Sequence, residues 1–125
     1  MGLFGHRRKY TVMYVDIAGF SKKCKYKTEK YYWRQDALED SKEGDSVSIK
    51  KFSYQKQPAY AIINNRIGVD IGVIPAKDIP EFEKRFPDLA DIEGSIDLLQ
   101  KETSAKSDEV FIDGSIKMEK WSEPK

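Results

Sequence analysis

The sequence contains one cysteine, Cys24, and one histidine, His6, among 125 residues. A lone thiol has no intramolecular partner, so no disulfide forms and the expected setting is a reducing, cytoplasmic one. One Cys and one His also fall short of an ordinary structural zinc site, and no metal is expected. Lys22, Lys23 and Lys25 surround Cys24 and would lower its pKa, but His6, in a terminal segment, is a poor base for it. Long apolar runs are missing too, which excludes a helical membrane span. The opening "MGLFGHRRKY" places charge after the apolar residues, the reverse of a secretory signal, and His6 occupies the position where a myristoylation motif needs Ser or Thr. Glycine-rich phosphate loops, a nucleophile elbow and a zinc-protease helix motif are all absent. The expectation is a protein that is not an enzyme and needs no cofactor.

Charge is plentiful and unevenly spread. Residues 1–34 hold nine Lys/Arg against two Asp/Glu, a net of +7, whereas residues 76–125 hold eight against thirteen, a net of −5. The whole chain carries only +1. A basic front attracts polyanions, or pairs with the acidic back half of the same chain.

Length and composition predict one globular domain over residues 10–121, between a basic N-terminal tail at 1–9 and a short tail at 122–125. "YTVMYVDIA" (10–18) is rich in β-branched and aromatic residues and reads as a strand ending at Gly19. Residues 21–29 read as a charged loop, and 30–41 fit either a short helix or an irregular strand. "GDSVSIKKFSYQ" is a strand in which Val47 and Ile49 share one parity and Phe52 and Tyr54 the other. Either both faces are partly covered, or a bulge near Lys50–Lys51 restores one inward face. "PAYAIIN" follows, opening on Pro58, and "VDIGVIP" alternates. "KDIPEFEKRF" is a helix, with Asp78 as cap, Glu81 completing a capping box, Pro80 in the first turn, and Ile79, Phe82 and Phe86 on one stripe. Two more strands flank a polar loop at 103–108. The sum is a mostly β, α+β chain: a small antiparallel barrel of five or six strands with one or two short helices.

Two constellations carry chemistry. Asp16 and Asp70 sit on predicted strands and would form an acid–base or metal-binding pair if brought together. The stronger pattern is "KKCKYKTEKYYWR" (22–34), where Lys22, Lys23, Lys25 and Arg34 interleave with Tyr26, Tyr31, Tyr32 and Trp33. Single-stranded nucleic acid is held by this combination, because cations neutralise phosphates while ring faces stack on bases. Tyr54, Tyr60 and Arg66 are further candidate contacts. The bland alternative is that the rings pack over the barrel and the lysines merely solvate a loop. An interaction or self-assembly role, with the aromatics forming a homo-oligomer interface, also fits.

The order of elements resembles the HIRAN domain family. The carriers are Gly19–Phe20 of "AGF", "GDSVSI" at 44–49, "AII" at 61–63 and "IGVIP" at 71–75 running into a helix. Membership would imply an OB-like β-barrel that binds single-stranded DNA, notably 3′ ends. The family's Asn-Pro-x-Asp-x-Asn-Ala segment is replaced here by "YQKQPAYA" (54–61). Its aromatic and basic pair after the first glycine is replaced by Phe20 and Lys22–Lys23.

Overall fold

The computed structural model describes residues 9–103 and 109–122; the N-terminal tail, most of the 103–108 loop and the extreme C-terminal tail lie outside them. Six strands form one antiparallel sheet in the order β1-β6-β5-β2-β3-β4. They are β1 (Lys9–Asp16), β2 (Ser46–Tyr54), β3 (Gln57–Asn64), β4 (Val69–Val73), β5 (Glu93–Thr103) and β6 (Val110–Ser122). Two short helices accompany them, α1 (Arg34–Glu39) and α2 (Ile79–Arg85). The sheet curls into a half-barrel. Beyond β1 the chain stays extended to Ala18, which exchanges two hydrogen bonds of 2.9 Å with Val73 of β4 and so links the sheet's first and last strands. No helix among the described residues is long and apolar enough to cross a membrane.

Alternation builds the core. Val15, Ile62, Ile96, Ile116 and Met118 turn inward from four different strands, Ile17 does so just beyond β1, and α1 adds Ala37 and Leu38. Burying each large aliphatic side chain is worth roughly 1.5–3 kcal/mol, and this term selects the register. Phe82 and Phe86 form the predicted stripe of α2 and are fully buried.

Two open readings are decided, and one expectation, the cap of α2, is corrected. β2 and β3 pair in unbroken register from Val47↔Asn64 to Tyr54↔Gln57, so there is no bulge at Lys50–Lys51. The irregularity lies in β4, where Ile71 is the extra residue between Ile62↔Gly72 and Ile63↔Asp70. That bulge resets the parity of β4, which is buried along nearly its whole length. Asp78 does not cap α2 with its side chain, because a preceding 3-10 turn at Ala76–Asp78 already takes up the first amides. Glu81 instead accepts from Arg85 at 2.7 Å. Residues 34–39 of the ambiguous 30–41 stretch are helical.

β2 pairs with β5 only at Ser46 and Val47. The far half of the β2–β3 hairpin therefore extends past β5, carrying Phe52, Tyr54 and Pro58 with it. At its tip a two-residue turn holds both Gln55 and Lys56 at positive φ, 50° and 64°.

Candidate functional site

The basic segment leaves the barrel at Gly19, whose φ of +64° turns the chain back. A Cβ there would lie 2.8 Å from the Arg34 guanidinium, so glycine is also required by the close approach. The segment then returns on itself. Cys24 N–H donates to Tyr32 at 2.9 Å, Arg34 N–H donates to Lys22 at 3.0 Å, and Lys23 bridges Trp33. This strand-like excursion alternates, so Cys24 points inward and Lys23 and Lys25 point out.

Asp70 anchors the excursion to the sheet. It is fully buried in β4, and its carboxylate accepts from the backbone amides of Lys25 at 2.9 Å and Tyr26 at 2.8 Å and from Arg34 Nε at 2.8 Å. Arg34, itself 6% exposed, also donates to the Gly19 carbonyl at 2.9 Å. A buried charge survives only when paired and hydrogen-bonded, and here both partners are. Gln35 ties the same region to β6 through a pair of backbone-like bonds with Ile112, both 2.8 Å.

Between this loop and the projecting hairpin lies a groove of about 540 Å³. Lys22, Lys23 and Lys25 line one side. Phe52, Tyr54, Pro58 and Ala59 line the hairpin side, with Val73, Ile74 and Ile79 between. Tyr54 is 63% exposed. Among the described residues, no carboxylate lies within ion-pairing distance of Lys22, Lys23, Lys25 or Lys27. The described residues of the acidic back half therefore form no ion pair with these cations. Lys25 Nζ sits 4.6 Å from the Phe52 ring centroid, joining the two walls.

The groove gathers Lys22, Lys23, Lys25, Arg34 and Tyr54 from the sequence-derived set, although Arg34 is committed to Asp70. Tyr26 lies outside the lining, half-buried with Lys50 Nζ 4.3 Å from its ring. Two expected contacts are already engaged within the fold. Tyr60 is 4% exposed, edge-on to Phe82 at 4.8 Å, and donates to Glu83 at 2.6 Å, so its ring has no free face for a base. Arg66 grips Asp45 with Nε at 3.1 Å and a terminal nitrogen at 2.9 Å, and also meets the Asp40 carbonyl. That bidentate pair holds the Asp45 carboxyl well below the usual carboxylate range.

Asp16 and Asp70 do not meet as an acid pair. Asp16 is exposed, whereas Asp70 is enclosed by the donors above. Among the described residues no three Asp, Glu, His or Cys side chains come together to hold a metal. The expected lowering of the Cys24 pKa is reversed: burial, reinforced by the Asp70 charge, pushes the thiol up to about 11. Sequence reasoning missed Phe52, Pro58, Ala59 and Ile79. The odd parity of Phe52 and Tyr54 was the signal for them. It marks a second, ligand-sized face rather than a bulge. No family model, no curated protein and no solved structure matches the chain.

Proposed function

We propose that the chain is a non-catalytic nucleic-acid-binding module of the reducing cytoplasm that holds single-stranded DNA, or the end of a DNA strand, in the groove between residues 19–25 and the β2–β3 hairpin. One observation carries the reading. Three lysines without carboxylate partners among the described residues face an exposed tyrosine and a phenylalanine across a space of ligand dimensions. Lys22, Lys23 and Lys25 bind phosphates, and Tyr54, with Phe52 and Pro58 beside it, receives a base. Stacking on such rings is worth about 1–3 kcal/mol per base. The resemblance to HIRAN domains supports the same partner. Fluorescence anisotropy with short labelled oligonucleotides tests it. Micromolar binding is expected, with log K falling against log salt at a slope of about −2, the value for roughly three phosphate contacts on a single strand. Absence of binding at about 50 mM salt removes the reading, since electrostatic attraction is strongest there.

Self-assembly is favoured by a separate observation. Tyr10 and Trp121 stack at 4.4 Å on the outer side of β1 and β6, and Tyr14 beside them is 55% exposed. Light scattering on a size-exclusion column decides it: a dimer disrupted by Trp121→Ala supports this surface, and a monomer at all concentrations rejects it.

A further inference from the structure

We infer that the nucleic-acid path does not end at the groove but continues over a second stacking platform formed by Tyr32 and Trp33, so that the preferred partner is a single strand several nucleotides long. The inference rests on the groove reading above. Tyr32 and Trp33 are 42% and 43% exposed, unlike Tyr31, which is buried with its hydroxyl donating to Asp40 at 2.6 Å. The two exposed rings meet edge-to-face at 5.5 Å, so they stand as one rigid ledge.

Lys23 joins the ledge to the groove. It lines the groove, and its ammonium lies 5.2 Å from the Tyr32 centroid and 5.6 Å from that of Trp33. Lys27 lies 5.2 Å from the Tyr32 ring on its own account. Both ammonium groups lack a carboxylate within ion-pairing distance among the described residues. In the free protein they rest on ring faces, a weak contact at an exposed site. A base stacking on a ring displaces the ammonium, which moves to the adjoining phosphate, so one rearrangement supplies both parts of the recognition. A duplex hides its base faces and gains nothing from exposed rings. The occupant is therefore a single strand, and one long enough to cross Lys23 from Tyr54 to Trp33.

Tryptophan fluorescence tests this directly. The chain has two tryptophans, and Trp121→Phe leaves Trp33 as the only one. Oligothymidylates of about two and about eight nucleotides are titrated, the longer within the span that one small barrel covers. The long strand should quench Trp33 and bind more tightly, and the short one should bind without quenching. Trp33→Ala should weaken the long strand about tenfold and leave the short one unchanged, with Trp33→Phe restoring most of the loss. Equal affinity for both lengths without quenching overturns the platform while leaving the groove intact. An equal loss for both lengths in Trp33→Ala also overturns it, since the residue then acts through loop structure. If neither strand binds, the groove reading fails first and the platform with it.

Discussion

At the scale of residues, Asp70 does the most. It fixes two loop amides and the Arg34 guanidinium at once, and Arg34 fixes Gly19 in turn. Asp70→Ala leaves a buried guanidinium without its partner and should cost about 3–5 kcal/mol in denaturant unfolding. A loss below about 1 kcal/mol would mean that the loop holds itself in place. Two buried neutral acids set the alkaline limit. Cys24 is raised from 9.0 to about 11 and Tyr60 from 10.0 to about 12, both mainly by burial, Tyr60 also by its bond to Glu83. A raised folded pKa contributes stability that is complete below the unfolded value and is lost as pH rises through the folded one. Melting temperature should therefore decline between pH 9 and pH 12, and Cys24→Ala with Tyr60→Phe should flatten that decline. At neutral pH the thiol should resist alkylation until the protein unfolds. The lysines of the groove were legible in the sequence because exposed charge in an aromatic-rich loop depends on few distant contacts. The fates of Arg34, Tyr60 and Arg66 were not, because each is decided by one partner 21–36 residues away: Asp70, Glu83 and Asp45.

Among the elements, the β2–β3 hairpin is the one that shapes the site. It runs past β5 after two residue pairs, and this leaves Phe52 and Tyr54 free to face the loop. Its turn places two ordinary residues, Gln55 and Lys56, in the left-handed region that Asn-Gly occupies with little strain. Replacing them by Asn and Gly should stabilise the protein by about 1–2 kcal/mol in chemical denaturation. An unchanged or lowered midpoint would show that the turn is not left-handed in solution. Strand composition and the Phe82–Phe86 stripe made the strands and α2 readable in advance. Whether β2 carried a bulge or had both faces partly covered stayed open, because alternation within one strand cannot say which neighbour it slips against. The true slip lies at Ile71, where the β3 pairing shifts by one residue. The cap at Asp78 failed for a similar reason, since a 3-10 turn upstream supplied the acceptors first.

For the whole molecule, a nearly neutral chain exposes the lysines of residues 22–27 together, although β1 of the basic front pairs along its length with β6 of the acidic back half. Three acidic residues are spent locally: Asp70 on Arg34, Asp40 on Tyr31 and Lys30, and Asp45 on Arg66. A small antiparallel β-barrel of five or six strands was legible from strand count and turn spacing, but the joining of the curled sheet through Ala18 and Val73 was not. That contact lets β1 deliver residues 19–25 to the end of β4, opposite the hairpin. The central claim is that a single strand lies between those two segments. Amide chemical-shift mapping of nitrogen-labelled protein with an unlabelled oligothymidylate tests it most directly. The account predicts shifts concentrated at Lys22–Tyr26 and Phe52–Ala59, joined by Tyr32 and Trp33 when the strand is about eight nucleotides long, saturating together and vanishing at high salt. Shifts centred instead on Tyr10, Tyr14 and Trp121, or none at all, would contradict it.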